Sequence, residues 1–227
     1  GSAVAAITQD FASTVTVPAA PTRSGYTFSS WNTAADGSGT SYAPAATFAM
    51  PANDSTLYAI WTINQYTLTY SAGANGSITG TSPQTVNHGS DGSSVTAVAA
   101  AGYHFVNWSD NATSNPRTDM NVTGDITVTA NFANDAPSIS VVADQTILED
   151  SGTTVVTVTL SDLETALVDL QLTAQSSNTA LIADPTIGTN ANPAERTLSF
   201  APASNGNGGP VTITLTATDS AAATFQR

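Results

Sequence analysis

Gly25-Tyr26-Thr27-Phe28-Ser29-Ser30-Trp31 returns as Gly102-Tyr103-His104-Phe105-Val106-Asn107-Trp108. A motif repeated at this separation marks two copies of one small module rather than a single larger domain. Each copy follows one plan: a small-residue turn, the aromatic motif, a polar excursion, a methionine (Met50, Met120) and a closing run (Leu57 to Trp61, Ile126 to Phe132). Strand alternation puts Tyr26 and Phe28 on one side, and Trp31 turns in at the strand's end to complete a small aromatic core. Modules of about 60 residues need the buried area that large aromatics supply, so these rings are read as packing before recognition.

Working outward, no window carries an apolar stripe at helical spacing. Thr alternates with apolar residues instead, as in Tyr66-Thr67-Leu68-Thr69-Tyr70, Val155-Val156-Thr157-Val158-Thr159-Leu160 and Val211-Thr212-Ile213-Thr214-Leu215. Such runs give one wet and one packed face, and the fold class expected is all-β. Turns fall between them at Asp36-Gly37-Ser38-Gly39, Gly73-Ala74-Asn75-Gly76 and His88-Gly89-Ser90-Asp91-Gly92. Copy two opens with the strand Tyr66–Tyr70 ahead of Gly76-Ser77, whereas copy one has Gly1-Ser2 at the matching place. Copy one is therefore expected to lack its first strand and to leave a sheet edge open.

A change of pattern falls at Ala133-Asn134-Asp135-Ala136-Pro137, where Pro137 stops sheet pairing. Beyond it, strands are expected near 138–147, 153–161, 167–175, 180–187, 195–201 and 209–218, spaced as in a β-sandwich. A last strand, Thr224 to Arg227, is expected to be cut short. The domains expected are residues 1–63, 64–133 and 134–227, two small repeat modules and a sandwich in line.

Composition narrows the function. The 227 residues contain no Cys, seventeen Asp and Glu, and four basic residues, all Arg (Arg23, Arg117, Arg196, Arg227), for a net charge of −13. Disulfide, thioester and Lys–Asn isopeptide reinforcement are excluded, so stability rests on sheets, packing and bound ions. Four scattered arginines cannot neutralise a row of phosphates, which excludes nucleic acid, and anionic membranes are disfavoured for the same reason. No apolar run approaches the roughly 20 residues that span a bilayer. A Cys-free acidic chain points to bacterial export and an extracellular location.

Pro21-Thr22-Arg23-Ser24-Gly25-Tyr26-Thr27-Phe28, Trp31-Asn32-Thr33-Ala34-Ala35-Asp36-Gly37-Ser38-Gly39-Thr40 and Thr56-Leu57-Tyr58-Ala59-Ile60-Trp61 resemble the internalin-type B-repeat, or Listeria-Bacteroides repeat, of bacterial surface proteins. Tyr66 to Phe132 resembles the divergent branch of that family. Ala136 onward is similar to cadherin-like, immunoglobulin-type repeats of large adhesins. The resemblance implies β-grasp-like modules with a short helical turn in the polar excursion, then a sandwich. It also implies display at the cell surface, spacing or adhesion, and no catalysis.

Candidate chemistry is sparse. His88 lies in a Gly-rich turn, and His104 stands where copy one has Thr27, so His104 is read as an exposed strand residue and no catalytic residue is assigned. In an up-and-down count of sandwich strands, the incoming linker and the loops after the second and sixth strands share one end. That end gathers Asn134, Asp135, Asp162, Glu164 and Asp219, hard oxygen donors of the kind Ca²⁺ requires. Ser161-Asp162-Leu163-Glu164 resembles the acid-x-acid loop of cadherins, and Asn134-Asp135-Ala136-Pro137 a shortened cadherin linker. Glu149-Asp150, after the first sandwich strand, stand where cadherins carry a glutamate serving the next joint, and would be a half-site. Ca²⁺ is the one cofactor expected.

The function expected is a structural or adhesive stalk segment. Its partners would be neighbouring domains of the same long chain, a host or surface protein or glycan, and copies of itself met head to tail through open edges. Two alternatives stand beside it. One is a carbohydrate- or protein-binding accessory module of a secreted enzyme, favoured by an exposed face of Trp31, Trp61 or Trp108. The other is a filament subunit joined by strand complementation.

Overall fold

The computed structural model describes residues 4–227, so Gly1 and Ser2 lie outside the described residues. The fold is all-β, with strands, turns and bends and no helix among the described residues. By packing, the chain divides into two compact units. One comprises Gly1–Ala72, Ile78–Ala97 and Trp108–Ala130, and the other Gly73–Ser77, Val98–Asn107 and Asn131–Arg227.

The first copy of the motif is built from β1 (Thr14–Thr16), β2 (Tyr26–Asn32), β3 (Ser41–Tyr42), β4 (Thr47–Ala49) and β5 (Tyr58–Ile63). β1 pairs with β4, and a second sheet has the order β3-β2-β5. β2 carries the motif. Tyr26 faces Ile63 and Phe28 faces Trp61, but beyond Phe28 the register slips, so that Ser30 faces Ile60 and Trp31 faces Ala59. This bulge brings a residue at odd spacing onto the inward face. Trp31 is buried, lies edge-on to Phe28 with centroids 5.6 Å apart, and donates from its indole nitrogen to the Pro18 carbonyl at 3.0 Å.

The polar excursion after Trp31 hangs on Asn32, which is fully buried. Its Nδ2 donates to the carbonyls of Gly37 and Gly39 and to Ser41 Oγ, while its Oδ1 accepts from the amides of Ala34 and Gly39. Every polar atom of the side chain is satisfied, and the loop is fixed without helical structure. The helical turn that the resemblance implies is therefore absent: turns and bends around this amide take its place.

The second copy comprises β6 (Gln65–Ala72), β7 (Gly76–Thr79), β8 (Gln84–Asn87), β9 (Thr96–Ala99), β10 (Tyr103–Trp108) and β11 (Ile126–Asn134). The main sheet has the order β10-β11-β6-β8, and β7 pairs with β9. β6 runs antiparallel to β8 and parallel to β11, with Leu68 beside Ile126 and Tyr70 beside Val128. Leu68, Tyr70, Trp108, Val128 and Ala130 are buried, and Tyr70 meets Trp108 edge-on at 5.9 Å.

Here the excursion hangs on Arg117. Its guanidinium holds Asp119 through Nε at 2.8 Å and Nη2 at 2.7 Å, reaches Asp110 through Nη1 at 2.8 Å, and lies 5.5 Å from the Trp108 ring. The Tyr70 hydroxyl donates to Asp119 at 2.7 Å. Hydrogen bonding from Arg117 holds the Asp119 carboxyl below the ordinary carboxylate value against the opposing pull of burial. Burial, and then the bond to Asp119, raise the Tyr70 phenol.

The third region comprises β12 (Ser138–Ile139), β13 (Thr154–Ser161), β14 (Gln171–Ser176), β15 (Thr186–Thr189), β16 (Glu195–Phe200), β17 (Ile213–Thr218) and β18 (Thr224–Gln226). Two sheets, ordered β12-β13-β16-β15 and β14-β17-β18, face each other as a sandwich. Ile139, Val158, Leu160 and Leu198 of the first meet Leu215 and Ala217 of the second, with Leu170 closing the layer. Two strands differ from expectation. The one expected over 138–147 forms only at Ser138–Ile139, and Val141 and Leu148 beyond it stand 79% and 75% exposed with no ladder to join. The one expected near 180–187 lies at Thr186–Thr189, where it pairs with β16.

Candidate functional site

The joints are built from the repeated motif. At the end of the first copy, the Asn64 amide donates to the Gly25 carbonyl at 2.9 Å, and Thr27 Oγ1 donates to Asn64 Oδ1 at 2.7 Å. At the end of the second, the Asp135 amide donates to the Gly102 carbonyl at 2.8 Å, and His104 Nδ1 lies 2.6 Å from Asp135 Oδ1. Each motif glycine is also a seat for a side chain from the segment that follows. A methyl group on Gly25 would overlap the His88 imidazole, and one on Gly102 would overlap the Glu164 carboxylate. Both glycines have positive φ, +75° and +80°, which L side chains rarely adopt. His104 is thus exposed, as its place opposite Thr27 indicates, and serves as one half of a joint.

Beside the second joint, oxygens of Asp162, Glu164 and Asp219 lie within 4.8 Å of one another. Oxygens bound to one Ca²⁺ at 2.3–2.6 Å stand at most about 5 Å apart, so the spacing suits a single ion. Asp219 is the anchor. It is 5% exposed, and its Oδ1 accepts from the amides of Ala221 and Ala223 in the turn after β17. Asn134 Nδ2 donates to Asp219 Oδ2 and to the Asp135 carbonyl.

Four oxygens around this point are buried without a hydrogen-bond partner: Asn134 Oδ1, Asp162 Oδ2 and both oxygens of Glu164. Orphaned acceptors facing like charge are costly, and a cation satisfies all of them at once. Burial, with Asp162 and Asp219 adding to it, pushes the Glu164 carboxyl above its ordinary value. The donor set, three carboxylates and an amide oxygen, fits a hard oxygen-seeking ion.

The remaining predicted ligands lie elsewhere. The Asp135 carboxylate is committed to His104 at the joint. Glu149 is exposed and Asp150 Oδ1 accepts from the Asn205 amide, both beyond the end of β13 opposite to Asp162. The elements that sequence reasoning missed are Gly25, Gly102 and Asn64. Their signal was present, since both glycines open the repeated motif and Asn64 follows the closing run as Asp135 does.

Comparison with known proteins bears on the two copies. Residues 1–60 match the Listeria-Bacteroides repeat domain, and residues 66–136 match the divergent InlB B-repeat domain. The first two modules are B-repeats. Internalin H of Listeria monocytogenes is 40% identical over 126 residues, 53% of this chain and 22% of that protein. A "Putative Gly-rich membrane protein" of Evansella cellulosilytica is 58% identical over 48 residues, 19% of this chain and 6% of that protein. The chain thus spans less than a quarter of either relative, and no solved structure matches it. Within the B-repeats the indoles point inward: Trp31 is 5% exposed, Trp108 is fully buried and Trp61 is half-buried, so they present no flat aromatic face. Among the described residues no helix is long and apolar enough to cross a membrane.

Proposed function

We propose that the chain is a spacer segment of a bacterial surface protein, one that sets the distance and direction between the parts it connects. The observation that carries this reading is the recurrence of one clasp at two joints, made from the same motif positions with different side chains. A backbone hydrogen bond, a side-chain pair and a glycine seat are three contacts off a common line, and together they resist both bending and twisting. B-repeat membership supports display at the surface, and the inward indoles weigh against a sugar-binding face. We further propose that Asn134, Asp162, Glu164 and Asp219 hold Ca²⁺, which stiffens the second joint because Asn134 belongs to the linker and the acids to the sandwich loops. The third region is read as cadherin-like on the same grounds.

Two measurements test this. Residual dipolar couplings of Gly25→Ala and Gly102→Ala should show segments on either side of the altered joint tumbling more independently; unchanged couplings overturn the spacer reading. Thermal unfolding after chelation should rise when Ca²⁺ is restored, because an ion bound only by the folded state stabilises it by mass action. Asp219→Asn with Glu164→Gln should abolish that rise. A melting temperature indifferent to Ca²⁺ removes the ion from the mechanism and leaves the clasp intact.

A further inference from the structure

Matching the two B-repeats strand by strand, with Asn64 set against Asp135, places Trp61 at Phe132, Ala59 at Ala130, Leu57 at Val128 and Ser55 at Ile126. The first pair is confirmed by packing, since Phe28 meets Trp61 edge-on at 5.6 Å and Phe105 meets Phe132 edge-on at 6.1 Å. The correspondence exposes a difference. Val128 and Ala130 are 4% and 0% exposed beneath β6, whereas Leu57 and Ala59 are only half-buried. β11 begins at Ile126, but β5 begins at Tyr58, so Ser55, Thr56 and Leu57 lie outside any strand. Among the described residues β5 pairs with β2 alone, and its other edge has no partner.

A groove of about 350 Å³ runs along that edge, lined by Trp31, Phe48, Met50, Ser55, Thr56 and Leu57. In the second B-repeat the corresponding place is filled. Leu68 and Tyr70 of β6 lie beside Ile126 and Val128, both are buried, and Tyr70 meets Trp108, the counterpart of Trp31.

We infer that the first B-repeat is a strand acceptor. Its groove takes an extended peptide running parallel to β5, with large apolar side chains at alternate positions, one opposite Ser55 and an aromatic one opposite Leu57 and against Trp31. Main-chain hydrogen bonds supply affinity, and the alternate side chains supply specificity. The occupant is a polypeptide segment outside residues 4–227. The run in this chain that best fits the pattern, β6, is already paired on both sides in its own sheet. This inference goes beyond the spacer role and does not depend on it.

The test is a titration with a synthetic peptide of the Gln65–Ala72 sequence. Saturable amide shifts and new exchange protection are expected at Ser55, Thr56 and Leu57, with a shift at the Trp31 indole and a melting temperature that rises with peptide concentration. A peptide of the same composition with its alternation displaced by one residue should give none of these, because the slip turns every apolar side chain to the wrong face. Leu57→Glu should abolish binding; if that variant fails to fold, the displaced peptide keeps the test decisive. Absence of saturable shifts, shifts centred on β15 or β18, or equal binding of the displaced peptide overturns the proposal. Dimerisation of the chain through this edge without peptide assigns the groove to a second copy and overturns it equally.

Discussion

The two B-repeats hold their polar excursions in place by different chemistry. In the first, Asn32 collects backbone groups of its own loop with one uncharged amide. In the second, Arg117 is clamped between Asp110 and Asp119 above Trp108, with Tyr70 donating to the same acid. The joints differ likewise, Thr27 with Asn64 in one and His104 with Asp135 in the other. What recurs is the aromatic layer and the backbone path, and the polar interior is adjustable as long as each buried group finds a partner.

The comparison is broken most forcefully at its centre. Arg117→Leu leaves Asp119 buried beside no cation and should cost about 3 kcal/mol, with part of the loss recovered by adding Asp119→Asn. Asn32→Ala strands several backbone groups and should cost about 2 kcal/mol. Urea unfolding followed at Trp108 and Trp31 separates the two, and equal losses with no recovery would show that the guanidinium acts only by packing.

Acid should distinguish the repeats next. The folded-state value of Asp119 is depressed, so the unfolded chain takes up that proton at higher pH than the folded one. Its contribution is complete above the unfolded carboxylate range near pH 4 and is lost as pH falls through the lower folded value. Asn32 does not titrate. Residue-resolved hydrogen exchange between pH 6 and 3 should therefore show the Arg117 loop loosening while the Asn32 loop holds, and simultaneous loosening would refute this assignment.

The smallest effect belongs to the joints. The His104 and Asp135 side chains are 57% and 48% exposed, so a double-mutant cycle should return only about 0.5 kcal/mol, and the Thr27–Asn64 pair a similar figure. Transplanting one clasp into the other place sharpens the point. Thr27→His with Asn64→Asp should keep the coupling, and Thr27→His alone should lose it.

Much of this was legible in the sequence because it depends on local pattern. Alternating Thr and apolar residues announced the strands, and the doubled motif announced the modules and their aromatic cores. Asn134, Asp162, Glu164 and Asp219 meet because each lies next to a strand end on one side of a sandwich, which strand counting captures. Asp135 was misassigned because two partners competed for it, and the choice of His104 over the acids depends on the position of a neighbouring strand. The run after Ile139 looked like strand by composition, yet a strand exists only where another backbone lies beside it, and composition carries no record of that. The slip between Phe28 and Ser30 is likewise a property of the pair, not of either segment.

Parallel pairing of β6 with β11 has a consequence for load. The first and last strands of the second B-repeat lie side by side and point the same way, so the chain enters at one end of the pair and leaves at the other. A pull on those ends drives the two strands past each other along their length. The five registered pairs from Leu68–Ile126 to Ala72–Ala130 are then sheared together rather than peeled one by one, and the repeat yields only when the whole set gives way.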